Sequence, residues 1–243
     1  MSPCLPTQAT GPQRLIVGLD LDSADAAMAV VNQLGPACNF YKVGLQLLTA
    51  AGPDLVRQLV SQGKHVFLDL KLFEIPNSVA SAVREAGRLG VAMVTVHAMG
   101  GSAVLRAAVQ AAKPFGHLKV FALTVITSLQ DTDLAEIGVN ASVDAQVRRL
   151  ALLAQAAGCD GVIASAREAA LLRQSLGPHM LIVTPGVQLP GAAANDQVRV
   201  ADPGQAVAQG ANYVVMSRAI VQAADPVAAF KRACQLIETA KPT

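Results

Sequence analysis

The feature that most constrains this chain is a short β-rich run that recurs eight times, each time followed by a stretch rich in Ala and Leu. Gly or Pro stands where most of these stretches should end. The β-rich runs are centred near Val17, Tyr41, Phe67, Thr95, Phe121, Val162, Ile182 and Val214. The stretches between them predict helices over residues 25–34, 54–62, 78–89, 104–112, 144–157, 168–176, 204–209 and 227–239.

Strands that alternate with helices favour a parallel sheet with right-handed crossovers. Eight such units in 243 residues predict an α/β fold with a single TIM (β/α)8 barrel over residues 14–243. Residues 1–13 contain three prolines and no apolar run, so we expect a flexible N-terminal tail. Residues 124–143 are too long for a plain connection and too polar for core, which is typical of a lid or binding loop.

The composition and net charge of the chain indicate which kinds of molecule it binds. The chain is 52% hydrophobic, so it can build a large core, and its net charge is only +2 with no long basic run. This argues against nucleic acid or an anionic membrane as the main partner. Four widely spaced cysteines, without a metal-ligand interval, indicate ordinary thiols in a reducing compartment. We therefore expect a soluble cytoplasmic protein that binds a small molecule and holds no metal.

The ends of the first three strands carry the clearest chemical signal. In TIM barrels the reacting groups follow the C-terminal ends of the strands. Alternation along the third strand places Asp69 and Lys71 on one face, while Asp20 and Lys42 end the first two strands. Either these are ordinary rim ion pairs, or two lysines and two carboxylates converge in one mouth and perturb each other's proton affinities.

The last two strands suggest a phosphate site. Barrels commonly bind phosphate between the loops after strands seven and eight. Arg218 stands where a cation is needed, and Gly186 and Gly191 permit close backbone approach. The alternative is a surface arginine beside a loop. The first interpretation predicts a phosphorylated small molecule as ligand.

The segment FLDLKLFEIPNS, residues 67–78, resembles the signature of the orotidine 5'-phosphate decarboxylase family. Further matches follow in the family's order: VGLD at 17–20, YKVG at 41–44, VHA at 96–98, TS at 127–128, TPGV at 184–187 and SR at 217–218. The resemblance implies a carbon–carbon lyase that converts orotidine 5'-monophosphate to uridine 5'-monophosphate, the last step of de novo pyrimidine synthesis. It also implies a homodimer with shared active sites and no cofactor or metal.

The same resemblance implies a role for each matching residue. Lys71 protonates C6 of the pyrimidine, Asp69 lies beside the departing carboxylate, and Lys42 holds the charge network. Glu74 occupies the position of a second aspartate supplied across the dimer. Asp20 binds the ribose, Thr127 and Ser128 the pyrimidine edge, Gln197 and Arg218 the phosphate, and Ser78, Pro185, Gln188 and Ser217 complete the substrate-binding set. We expect His97 and Gly100–Gly101 to serve packing and turning.

Departures from the family pattern keep other functions open. Glu74 replaces Asp, Ser78 replaces Thr, Gln188 stands where bacterial relatives often have Arg, and Ser217 replaces Gly, which predicts a weaker or rearranged phosphate site. One alternative is a metal-dependent sugar-phosphate decarboxylase or aldolase in which Asp69 and Glu74 bind the cation. Others are a Schiff-base aldolase that uses Lys42 or Lys71 and a non-catalytic barrel that retains nucleotide binding.

Overall fold

The computed structural model describes residues 10–190 and 201–240, and its centre is a closed barrel of eight parallel strands. The strands follow one another in sequence order around the barrel, and the last pairs with the first. This confirms the predicted TIM barrel and all eight predicted strands. They are β1 (Leu15–Gly18), β2 (Phe40–Gly44), β3 (His65–Leu72), β4 (Met93–His97), β5 (Lys119–Leu123), β6 (Gly161–Ile163), β7 (Leu181–Thr184) and β8 (Tyr213–Met216).

Helices connect successive strands, and each of the eight predicted helices is present. The helices are α1 (Gly11–Arg14), α2 (Ala24–Leu34), α3 (Leu45–Ser61), α4 (Pro76–Leu89), α5 (Gly101–Ala112), α6 (Asp131–Glu136), α7 (Val143–Ala157), α8 (Ala166–Leu176), α9 (Pro203–Ala208), α10 (Arg218–Val221) and α11 (Pro226–Thr239). Short 3₁₀ turns span Gly35–Ala37 and Ala98–Gly100.

The third helix begins earlier than the sequence predicts. Helix α3 starts at Leu45, and a kink interrupts it at Gly52, whose φ of 68° is open to glycine. Pro53 then begins the second segment, where its missing N–H is tolerated. The Gly-Pro pair therefore marks a kink within the helix and not the helix's start.

Two segments assigned to loops carry more structure than expected. Residues 11–13 belong to α1, where Gly11 is buried and its N–H donates to Glu238 Oε1 at 3.3 Å. The rest of the predicted tail, residues 1–9, lies outside the described residues. Residues 124–143 contain α6, whose Leu134 is fully buried, so this stretch is partly a packed element.

Side chains alternate between two cores along each strand. Leu15 and Val17 pack outward against the helices, whereas Ile16 packs inward. The inward cluster fills the barrel with Ile16, Phe40, Phe67, Ala92, Met93, Phe121, Leu123, Ile163, Val183, Tyr213 and Val215. Burial of each large side chain contributes roughly 1.5–3 kcal/mol. The interior of the barrel is therefore a packed core.

Three of the four cysteines lie in this apolar framework. Burial raises the pKa of Cys38 to about 11 and those of Cys159 and Cys234 to about 12. Such thiols remain protonated and unreactive near neutral pH, as expected for ordinary buried cysteines. Cys4 lies outside the described residues. No helix in the described part of the chain has the length and apolar character needed to cross a membrane.

Candidate active site

A pocket of about 310 Å³ opens at the C-terminal ends of the strands, where the sequence predicts the chemistry. Its floor consists of four apolar side chains from the inward cluster, Phe67, Leu123, Ile163 and Val215. Charged and polar groups stand above this floor. An apolar floor excludes water, which strengthens electrostatic interactions between the groups above it.

Two ion pairs from the first three strands lie side by side in the pocket. Lys42 Nζ is 2.6 Å from Asp20 Oδ1, and Lys71 Nζ is 2.8 Å from Asp69 Oδ2. The side chains of Lys42 and Asp69 are only 11% and 14% exposed. Two lysines and two carboxylates thus share one pocket, as the sequence predicts. One member of each pair is thus shielded from solvent, unlike an ordinary rim pair, whereas Asp20 and Lys71 remain 38% and 37% exposed.

The third strand reaches this pocket through a bulge. Leu68 pairs with Val94 and Leu72 pairs with Val96, so residues 69–71 face the single residue Thr95. Within the bulge Lys71 adopts a φ of 51°. A left-handed conformation in a non-glycine residue costs on the order of 1–3 kcal/mol and persists only where its surroundings enforce it. Simple alternation therefore breaks down between Leu68 and Leu72, although Asp69 and Lys71 still line the same pocket.

Thr95 supports both members of the strained pair, and the sequence reasoning missed it. The Lys71 backbone N–H donates to Thr95 Oγ1 at 2.8 Å, and the Thr95 hydroxyl donates to Asp69 Oδ1 at 2.9 Å. Thr95 itself is fully buried. One signal was available: Thr95 is a polar residue at a core position of an otherwise apolar run.

The side chain of Ser217, the residue before Arg218, fits into the barrel because a glycine lies next to it. Ser217 Oγ donates to the Gly18 carbonyl at 2.8 Å, which joins the ends of β8 and β1. A Cβ on Gly18 would lie 2.9 Å from Ser217 Cβ, closer than side chains approach one another. The space left by Gly18 thus accommodates the side chain that stands where the family pattern has glycine. Ser217 and Arg218 both line the pocket, as predicted.

Gln188 presents a side-chain donor for which the described residues provide no acceptor. The residue is 8% exposed and lines the pocket, and its backbone N–H donates to the Ala201 carbonyl at 3.1 Å. Among the described residues, no hydrogen-bond partner reaches its side-chain Nε2. A buried donor without a partner is costly, so this atom is suited to a ligand acceptor. Thr127, Ser128 and Pro185 also line the pocket, as expected.

Two predicted site residues, Glu74 and Ser78, follow β3 and do not line the pocket of their own chain. A third, Gln197, lies outside the described residues. Glu74 is exposed and stands between Phe73 and Ile75, which are each 62% exposed. Glu74 therefore follows the end of β3 but lies outside the pocket of its own chain.

His97, at the end of β4, packs against Phe73, as expected from the sequence. Its ring lies 5.4 Å from that of Phe73, and its Nδ1 accepts a hydrogen bond from the Met99 N–H at 3.3 Å. Burial, and secondarily the charge of Lys71, lower the pKa of His97. A neutral imidazole fits this position because it accepts from a backbone donor.

Comparison with known proteins agrees with this geometry. The family model described as "Orotidine 5'-phosphate decarboxylase / HUMPS family" matches residues 13–233. The chain is 48% identical over 220 residues to the orotidine 5'-phosphate decarboxylase of Alkalilimnicola ehrlichii, covering 90% of this chain and 94% of that protein. The enzyme of the same name from Nitrosococcus oceani is 45% identical over 219 residues, with the same coverage. The crystal structure of orotidine 5'-phosphate decarboxylase from Lactobacillus acidophilus superposes with a TM-score of 0.83 at 34% identity, covering 93% of this chain and 99% of that one.

Proposed function

This chain belongs to the orotidine 5'-phosphate decarboxylase / HUMPS family, and we propose on that basis how its pocket acts. The protein is a decarboxylase that converts orotidine 5'-monophosphate into uridine 5'-monophosphate and carbon dioxide in pyrimidine biosynthesis. The observation that carries the proposed mechanism is the Asp69–Lys71 pair, with Nζ and Oδ2 2.8 Å apart in the pocket. A fixed ammonium of this kind supplies both a field and a proton.

The reaction breaks the bond between C6 of the pyrimidine and its carboxylate carbon. Carbon dioxide leaves, and the electron pair of the broken bond stays on C6. Lys71 Nζ then gives a proton to C6, so the pair becomes the C–H bond of the product. Because negative charge moves toward the ammonium as this happens, Lys71 stabilises the transition state more than the bound substrate. Asp69 holds the ammonium and lies beside the departing carboxylate.

The other pocket residues bind the remaining parts of the substrate. Asp20 binds the ribose hydroxyls, and Lys42, 2.6 Å from it, keeps that carboxylate in place. Thr127 and Ser128 meet the pyrimidine edge. Arg218 and Gln188, whose Nε2 has no partner among the described residues, bind the phosphate together with Ser217, Pro185 and Gln197. Among the described residues, three cationic and two anionic side chains line the pocket, a balance that favours an anionic substrate.

A second copy of the chain completes the site. Leu45, Phe73 and Ile75, after β2 and β3, are 57%, 62% and 62% exposed, an apolar surface that a partner covers favourably. Glu74 stands within this surface between Phe73 and Ile75, and its proposed role is to supply its carboxylate to the partner's pocket, where the family has an aspartate. Ser78, at the start of α4, adds a hydroxyl from the same side. The homodimer therefore has two active sites, each built from both subunits.

The direct test follows the ultraviolet absorbance of orotidine 5'-monophosphate with purified protein, with and without a chelator. We expect decarboxylation at the same rate in both buffers. Activity that a chelator abolishes and a divalent cation restores would support the metal-dependent sugar-phosphate alternative. That alternative needs Asp69 and Glu74 on one cation, whereas Asp69 is bonded to Lys71 and Thr95 and Glu74 does not line the pocket. Tight binding of uridine 5'-monophosphate without turnover would support a non-catalytic barrel.

A further inference from the structure

We propose that Thr95 is a positioning residue for the decarboxylation, because its hydroxyl holds the Lys71 backbone and the Asp69 carboxylate in one arrangement. This inference rests on the proposed function of the Asp69–Lys71 pair. Thr95 is buried beneath that pair and does not line the pocket. It therefore acts through its two neighbours and not through the substrate.

The pairing of β3 with β4 explains why a side chain is needed at this point. Three residues of β3 face one residue of β4, so the register of the backbone ladder shifts at residues 69–71. At this point a side-chain oxygen, Thr95 Oγ1, accepts from the Lys71 N–H at 2.8 Å. The left-handed conformation of Lys71 is thereby tied to the neighbouring strand.

The donor and acceptor roles of the hydroxyl are fixed by its partners. The Lys71 N–H is only a donor, so Thr95 Oγ1 must accept from it. The hydroxyl hydrogen is then directed to Asp69 Oδ1, 2.9 Å away, which must accept. Lys71 Nζ occupies the other oxygen, Oδ2, at 2.8 Å. Each carboxylate oxygen thus has its own donor, and the carboxylate plane cannot rotate without breaking one of the two bonds.

This arrangement predicts an effect on kcat with little effect on binding. The ribose, phosphate and pyrimidine contacts arise from other strands, so loss of Thr95 leaves them in place. The Asp69–Lys71 geometry relaxes, however, and a shift of about 1 Å at a preorganised site costs on the order of a hundredfold in rate. Thr95→Val preserves the side-chain shape and removes only the hydrogen-bonding group.

The experiment measures kcat, KM and uridine 5'-monophosphate affinity for Thr95→Val, Thr95→Ser and the wild type. We expect kcat to fall about a hundredfold in Thr95→Val, with KM and product affinity changed less than about threefold, and to recover to within about tenfold of wild type in Thr95→Ser. Thr124→Val is the matched control, since Thr124 is also fully buried and its hydroxyl donates to the Ile163 carbonyl at 2.9 Å. Thr124→Val should lower the free energy of unfolding by an amount similar to that of Thr95→Val, with a much smaller loss of kcat.

Two results would overturn the inference. Equal losses of kcat in Thr95→Val and Thr124→Val would show a general effect of removing a buried hydroxyl. Absence of rescue by Thr95→Ser in a folded variant would show that the hydroxyl is not the group that matters. A crystal structure of Thr95→Val tests the geometry separately, with Lys71 expected to leave its left-handed conformation. A wild-type protein without decarboxylase activity would instead refute the proposed function and leave this structural test standing.

Discussion

Arg218 is the residue whose role can be isolated most simply, because its proposed ligand is one part of the substrate. It begins α10 at the mouth, beside Ser217. Arg218→Ala should weaken uridine 5'-monophosphate binding by about tenfold or more, since a charge-assisted hydrogen bond to phosphate is lost, and should leave uridine affinity nearly unchanged. Calorimetric titration with both ligands measures the ratio, and Arg232→Ala, an exposed site on α11, is the control. Proportional losses for both ligands would refute a phosphate contact.

The lowered pKa values of two histidines predict how the free energy of unfolding changes at acidic pH. Burial lowers the pKa of both His65 and His97 below the ordinary value of 6.5, with the Lys71 charge adding to the effect at His97. Below pH 6.5 the unfolded chain therefore takes up protons that the folded chain resists. The free energy of unfolding should fall as pH drops from 7 toward 5, and the stabilisation should be fully present above this window.

His65→Gln isolates one of these contributions, because His65 begins β3 and does not line the pocket. We expect a shallower decline of stability with acid, measured by urea unfolding at several pH values. His179→Gln, at an exposed position, serves as the control for replacing a histidine by glutamine. A His65→Gln slope equal to that of wild type would contradict the assignment.

At the scale of elements, the junction between β1 and β8 depends on a glycine and a serine together. Because a Cβ on Gly18 would lie 2.9 Å from Ser217 Cβ, Gly18→Ala should lower the free energy of unfolding by about 1–3 kcal/mol through overpacking. In a Ser217→Gly background the same change should cost less, since only the 3.2 Å contacts with Asp20 Oδ2 and Lys42 Cε remain. Chemical denaturation of the four proteins gives the coupling energy. Additive effects would show that the two residues do not compete for this space.

The same scale shows what the sequence could and could not predict. The strand and helix periods are local properties, so the eight units and their order were accessible from residue spacing. The bulge at residues 69–71 was not, because it depends on which β4 residues pair with Leu68 and Leu72. The role of Thr95 was not predicted for the same reason, since it depends on that pairing. Kinks such as that at Gly52 likewise depend on how the helix packs on the barrel.

The residue types at the strand ends predicted which charged side chains line the pocket better than they predicted the backbone geometry around them. The charged groups at the strand ends converge because all strands of a parallel barrel end at one face. Glu74 differs, because its proposed site lies across an interface between two molecules, which a single chain's pattern does not contain. The consequence of Ser217 also depended on a distant neighbour, Gly18, which is 199 residues away in sequence.

At the scale of the whole molecule, shared sites make a prediction about mixed subunits. Glu74→Ala and Lys71→Ala each damage both sites of a homodimer, but a heterodimer of the two carries one site with both residues intact. After subunit exchange, random pairing makes half of the dimers mixed, so about one quarter of wild-type activity should return. Activity of the mixture is compared with that of each variant alone. No recovery in a mixture whose exchange is demonstrated would refute a site shared between subunits.

The central claim, that this pocket decarboxylates orotidine 5'-monophosphate with Lys71 as the proton donor, is tested most directly by turnover in deuterium oxide. The Lys71 ammonium exchanges its protons with solvent, so wild-type protein should yield uridine 5'-monophosphate with one deuterium at C6, detected by mass spectrometry. Lys71→Ala should bind the product yet form it more slowly by 10²–10⁴-fold or more, roughly the contribution of general acid catalysis. Lys231→Ala, exposed on α11, should behave as wild type. Labelled product from Lys71→Ala at an undiminished rate, or no product from wild type, would contradict the claim.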